Sequence, residues 1–279
     1  MNGPAPSLLG RARRQVPPTG EGTPRMSDAP LDRAQVLDEL EVLATVEHAL
    51  IVEYLSVHCA LGHDLEAEEG GATTEQGRQA SDAAAGLAQG EMFRLKDVNR
   101  ALVAAGRSAQ LGRATSVAAG SAAPFPLDPP SRAQLEQLRQ REDDLAAAVD
   151  ARYQRLRPAV TSDPVFDGDL LATIRSVVDD GTTHADGVAS LHEALGDVPP
   201  AFFLRAIRRE TSDAFEQRLL DVSDRGYQAI VTALSESYAQ QDFFASGAFT
   251  RVAVTGMISL DDVHRLLVQR GLLPPFTLG

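Results

Sequence analysis

The stretch Leu43-Ala44-Thr45-Val46-Glu47-His48-Ala49-Leu50-Ile51-Val52-Glu53-Tyr54-Leu55 settles the class of fold. Leu43, Leu50, Ile51, Tyr54 and Leu55 recur at the spacing of one helix face, and Val36 and Leu40 extend that face upstream. Glu47 falls in the middle of it, between Leu43 and Ile51. A carboxylate aimed at a helical core is costly unless it has partners, so Glu47 marks a place where chemistry is expected. Tyr54 and His58 follow on the same face, whereas His48 and Glu53 point a quarter turn or more away.

Helical periodicity continues outward from there. Segment A covers about 32 to 63 and ends at Gly62, before an acidic loop. Segment B, about 73 to 106, opens on threonines suited to capping, closes at Gly106 and carries the stripe Ala84, Leu87, Glu91, Leu95, Val98, Leu102. A proline-rich linker from 107 to 130 separates it from segment C, about 131 to 157, which Ser131 and Gln134 open as a capping box. Leu135, Leu138, Leu145, Val149, Tyr153 and Leu156 are its core face. Segment D begins at Asp163-Pro164 and runs to Gly196 through Ile174, Val177, His184 and Leu191. Two further helical stretches follow, about 201 to 239 and 242 to 270, the second interrupted by Gly247 and Gly256. No alternating run suggests a strand. The expected fold is all-α: a four-helix bundle over 32–196 with a long B–C crossover that lets B and C run parallel, plus a C-terminal helical pair over 197–279. Residues 1–31, rich in Pro, Gly and Arg, are expected to be a disordered tail.

Charge and composition narrow the partners. The net charge of −13, from 26 basic and 39 acidic residues, disfavours nucleic acid and anionic membrane surfaces. No apolar run approaches the roughly 20 residues of a membrane span. The one cysteine, Cys59, excludes an internal disulfide, reads as a small core residue, and fits a cytoplasmic location. Aromatic residues make up only 5% of the chain, so stacking gives no argument for an aromatic substrate; Phe93, Phe202, Phe203, Phe243 and Phe244 read as core packing.

The inward polar set carries the functional expectation. Segment A contributes Glu47 and Tyr54, and segment B the pair Glu91 and Arg94. Segment C offers Glu142, between Leu138 and Leu145, with Asp150 a less central alternative. Segment D contributes Asp180 and His184 at i,i+4. Carboxylates with one or two imidazoles suit iron or manganese and oxygen chemistry. A two-metal site needs a Glu-x-x-His on each of two helices, and here Arg94 takes the histidine position after Glu91 while Gly181 stands three before His184. A guanidinium offers only donors, so Arg94 stands as a built-in cation or as a clamp for a substrate carboxylate.

Together these motifs resemble ferritin-like domains over about residues 32 to 276. Thr45-Val46-Glu47-His48-Ala49 followed by Tyr54-Leu55 is similar to their opening helix, in which a metal-binding Glu precedes a Tyr by seven positions. Glu91-Met92-Phe93-Arg94-Leu95, with Asn99, Leu102 and Ala105-Gly106, resembles a second helix reading Glu-Met-x-His-Leu. Asp180-Gly181-Thr182-Thr183-His184 resembles the acidic-Gly-x-x-His of a later helix. The ending Pro274-Pro275-Phe276 is similar to that of the iminophenyl-pyruvate dimer synthase type found in bisindole-forming enzymes. The resemblance implies metal-ligand roles for Glu47, Glu91 and His184, with Asp180 a further candidate. It also implies an incomplete diiron set, since Arg94 replaces a histidine and Ala151-Arg152 stand where a carboxylate near Tyr153 belongs.

The leading expectation is an enzyme of specialised metabolism acting on a small molecule by oxidative chemistry at one non-haem iron, or manganese, held by Glu47, Glu91 and His184. The alternative needs no metal: His184 and Asp180 act as acid and base, Arg94 clamps an anion, and Glu142 and Tyr54 complete the centre, as in a cyclase, isomerase or lyase. A third reading is a non-catalytic binding or scaffold protein whose inner charges form an ion-pair network. Oligomeric state is left open.

Overall fold

Asp32 starts the first helix by a reciprocal cap: its carboxylate accepts from Gln35 N and its own N–H donates to Gln35 Oε1, both at 2.9 Å. The chain is seen in a computed structural model that describes residues 31–61, 72–114, 132–161, 165–181, 189–191, 193–194, 208, 210–240 and 242–277, without the side chains of 60, 72–76, 132–146 and 243. Among the described residues the helices with defined bounds are α1 (Arg33–Ala60), α2 (Ala72–Ala104), α3 (Arg132–Thr161), α4 (Gly168–Gly181), α5 (Ala214–Ala239) and α6 (Phe243–Gln269), and residues 189–191 and 193–194 are also helical. Among the described residues there is no strand, only an isolated bridge between Arg208 and Leu272. The all-α expectation holds.

α1 packs against α2 and α3, and α4 packs against the same two, so the first four helices close a circuit. Directions follow from cross-helix bonds. His58 near the end of α1 meets Ser81 near the start of α2, while Arg107 beyond α2 pairs with Glu41 and Asp38 in the first part of α1. α1 and α2 are therefore antiparallel. α3 also opposes α1: Tyr153 meets Glu47, Arg152 meets Glu39, and Phe166 just beyond α3 lies under Arg33. Hence α2 and α3 run the same way, as a long connection between them allows.

α1 is the central element. Leu40, Leu43 and Leu50 are buried on one side and Val46, Ala49 and Val52 on others, as expected of a helix covered on several faces. One core joins α1 to Leu95 and Leu102 of α2, Tyr153 and Leu156 of α3, and Ile174 and Val178 of α4. α5 and α6 form a hairpin with a smaller core of Tyr227, Ile230, Ala253 and Leu260, which Val52 of α1 and Phe276 of the C-terminal tail complete.

Several boundaries differ from the sequence expectation. α3 runs through Pro158 to Thr161 instead of stopping at 157. Pro158 is exposed, so water reaches the carbonyl that its missing N–H leaves. α4 starts at Gly168, because Val165 N turns back to Ala159 O (3.0 Å) and Phe166 is buried. α5 starts at Ala214, where Asp213 caps it, and not at 201. α6 is continuous through Gly247 and Gly256. Its glycine at 256 permits close packing: a Cβ there would come within 2.9 Å of Ile230 Cγ1 on α5, and one at Gly226 of α5 within 2.8 Å of Leu260 Cδ1 on α6.

The segment that leaves α2 is held against α1. Gly106 (φ 84°) reverses the chain, with Gly106 N bonded to Val103 O and Arg107 N to Leu102 O. Buried Asn99 then receives Gln110 N on its Oδ1 (2.6 Å) and donates to Gln110 O and Leu95 O. Ala114 N reaches Thr45 O at 2.9 Å, which seats this segment beside the turn of α1 that carries Glu47.

Candidate functional site

Glu47 of α1 and Glu91 of α2 are 0% and 1% exposed, so both carboxylates have left water. Each is met by a donor. The Tyr153 hydroxyl of α3 donates to Glu47 Oε1 at 2.7 Å, and Arg94 Nη1 donates to Glu91 Oε1 at 2.7 Å. Arg94 Nε also lies 3.4 Å from Asp180 Oδ2 of α4. Four helices thus converge on one polar centre: α1, α2 and α3 put Glu47, Glu91 and Tyr153 on their buried stripes, and α4 brings Asp180 to the exposed rim.

The centre is graded from inside to outside. Tyr153 is fully buried, the Arg94 side chain is 14% exposed, and that of Asp180 is 62% exposed. Solvent therefore reaches it along Arg94, between α2 and α4. Burial, then the charge and hydrogen bond of Glu47, then the charge of Glu91 push the Tyr153 hydroxyl well above its ordinary value against an opposing Arg94, so it stays a neutral donor. Burial by itself pulls Arg94 down, but Glu91, then Glu47 and Asp180, more than offset this, and the guanidinium is held above its ordinary value.

The expected site residues fare differently. Glu47, Glu91, Arg94 and Asp180 are brought together. Asp180 occupies the rim and not the interior, since its carboxylate is mostly in solvent. Tyr54 is buried at 2% on the Glu47 side of α1, within the main core. His184, and the side chain of Glu142, lie outside the described residues. Asp150 is half-buried. The residue that sequence reasoning passed over is Tyr153, read as packing. Its signal was available: a phenol on an otherwise aliphatic stripe needs a partner for its hydroxyl when buried. It stands close to where the resemblance implied a carboxylate, and it supplies a donor there instead.

A second polar cluster lies off this centre, as the angle of His48 on α1 implied. His48 Nδ1 donates to Leu111 O at 2.9 Å, with Gly112 O at 3.3 Å, which leaves Nε2 to accept from the Tyr227 hydroxyl of α5. Burial is the main cause that lowers the His48 pKa, with Arg113 adding to it against the two carbonyls, so the ring is neutral. Arg113 donates to Phe276 O, and the Phe276 ring sits edge-on to both Tyr227 and His264. These bonds tie the C-terminal hairpin to the residue next to Glu47. Cys59 is buried and its thiol is pushed up to about 12 by burial, with a smaller contribution from Asp261, which fits a core residue. Phe93 and Phe244 are 54% and 80% exposed, so neither packs in a core as expected; Lys96 Nζ lies over the Phe93 ring. Comparison with family models, with curated proteins and with solved structures gives no match to this chain.

Proposed function

We propose that the chain is a ferritin-like helical protein whose centre works without a metal on a small anionic metabolite, with Arg94 as the anion clamp. The observation that carries this reading is that both inner carboxylates already hold donors, Glu47 the Tyr153 hydroxyl and Glu91 the Arg94 guanidinium. A cation entering between them would lie beside a guanidinium that is held charged and already bonded to Glu91. The described residues therefore do not fit the iron that the ferritin-like resemblance implies, and no step is assigned to it.

Arg94 is the reactive edge of the centre. Its bond to buried Glu91 fixes the guanidinium plane, while its contact with Asp180 is long and made to a mostly exposed carboxylate. An ion pair with a mostly exposed partner is worth at most about 1 kcal/mol, so a ligand carboxylate competes easily for that side of Arg94. Asp180, once displaced from Arg94, acts as a base with His184, four residues further along the chain. Glu47 and Tyr153 supply a second hydrogen-bonded pair in reach of the guanidinium's field.

Calorimetric titration with a panel of small carboxylic acids, 2-oxo acids among them, tests this. At least one is expected to bind; Arg94→Gln abolishes that binding, and Asp180→Asn tightens it several-fold by removing the competing charge. Binding that is indifferent to Arg94→Gln, or no binding by any member of the panel, contradicts the reading and favours an internal ion-pair network with structural purpose only.

A further inference from the structure

α6 has two apolar faces and only one of them is used. Ala253, Leu260 and Leu267 are buried against the rest of the protein. On the opposite side Phe244, Val252, Val254 and Ile258 are 80%, 60%, 49% and 69% exposed, and Leu266 is 45% exposed. A helix that is apolar on both sides is normally covered on both, and a patch of this kind on one element marks an interaction surface. Within the stripe Phe244, Arg251, Thr255, Ile258, Asp262, which follows one face at helical spacing, stand one cation and one anion. Both are exposed, and neither makes an ion pair among the described residues.

We propose that this face binds the same face of a second copy of the chain, with the two α6 helices antiparallel about a two-fold axis at the level of Thr255 and Ile258. The charge pattern selects this occupant and register. Antiparallel pairing about that axis sets Arg251 opposite Asp262 of the partner subunit, and the symmetry repeats the pair. The same register places Ile258 against Thr255 of the partner subunit at the centre and Leu266 against Gly247 of the partner subunit, where no side chain obstructs it. A parallel arrangement would put Arg251 on Arg251 and Asp262 on Asp262, and like charges disfavour it.

Sedimentation equilibrium of the full chain tests the proposal. The unaltered protein is expected to be dimeric in the micromolar range. Arg251→Glu makes both paired positions acidic and Asp262→Arg makes both basic, so each variant alone is expected to weaken dimerisation at least tenfold. An equimolar mixture of the two variants restores complementary pairs and is expected to recover a dimer. All three positions lie in solvent, so circular dichroism should report unchanged helix in each variant, Ile258→Asp included, which is expected to be monomeric. A monomer at all concentrations overturns the proposal. So does a dimer unmoved by either charge reversal, and so does failure of the mixture to associate when each variant alone has dissociated.

Discussion

Tyr153 and Arg94 are the residues that set the character of the centre, because each answers a buried carboxylate with a donor. Removing one donor leaves a carboxylate oxygen short of a hydrogen bond in a dry place. Tyr153→Phe is expected to destabilise the fold by about 1–3 kcal/mol in urea titration. Arg94→Met is expected to cost about 3–5 kcal/mol, because it strands the Glu91 charge. Glu91→Met with Arg94→Met is expected to cost clearly less than Arg94→Met alone; a double variant as unstable as the single one would mean that the pair is not a coupled unit. A second residue gives a pH signature. His264, bonded to Ser223 and packed on Phe276, has its pKa lowered to about 4, mainly by burial, with Asp261 opposing and His58 adding. It is neutral when folded and titrates near 6.5 when unfolded, so the unfolded chain binds more protons between these values. Its contribution is therefore present above pH 6.5 and lost as pH falls through about 4. Urea titrations across that window should show a shallower decline for His264→Gln than for the parent.

At the scale of the elements, glycine spacing separates packing from propensity. Gly256 of α6 faces Ile230 so closely that an added methyl collides at 2.9 Å, within a hairpin core that is already filled. Gly86 of α2 is exposed and an added Cβ meets nothing within 4 Å. Gly86→Ala is expected to raise stability by roughly 0.5–1 kcal/mol through helix propensity. Gly256→Ala gains the same propensity but is expected to lose about 1–3 kcal/mol to overpacking, for a net decrease in thermal midpoint. An increase for both would mean that the hairpin is loosely packed. The elements also show what was legible beforehand. α1 and α2 could be placed because their apolar periodicity ends at real caps, Asp32 and Gly106. The breaks expected at Gly247 and Gly256 failed because a glycine inside a helix weakens it only modestly, and interhelix contact restores more than that. The starts of α4 and α5 were misplaced for the complementary reason: a sequence with helical spacing continues upstream of both, but Phe166 is drawn into the core and Asp213 caps later than the pattern suggests.

At the scale of the whole molecule, the polar centre and the hairpin meet on α1, where Glu47 and His48 are neighbours facing different partners. Tyr227→Phe removes the hydroxyl from His48 and is expected to lower stability by about 1–3 kcal/mol, with the loss greatest for hydrogen exchange in α5 and α6. Equal loosening across α1 to α4 would show that the hairpin is not a separable unit. Glu47, Glu91 and Arg94 could be named from spacing alone, because charge on an apolar stripe is a loud signal, whereas Asp180 was named from its i,i+4 spacing to His184 and sits at the exposed rim. Tyr153 carried a quieter signal, a phenol whose hydroxyl needs a partner when buried, and its distance to Glu47 is what names that partner. The central claim is that donors, and not a metal, answer the two buried carboxylates. It is tested most directly by loading the purified chain with ferrous iron or manganese without oxygen, removing free ion, and measuring metal per chain. The expected result is well below one equivalent, unchanged by Glu47→Ala and Glu91→Ala. One tightly held metal ion per chain, lost in both variants, would contradict the claim.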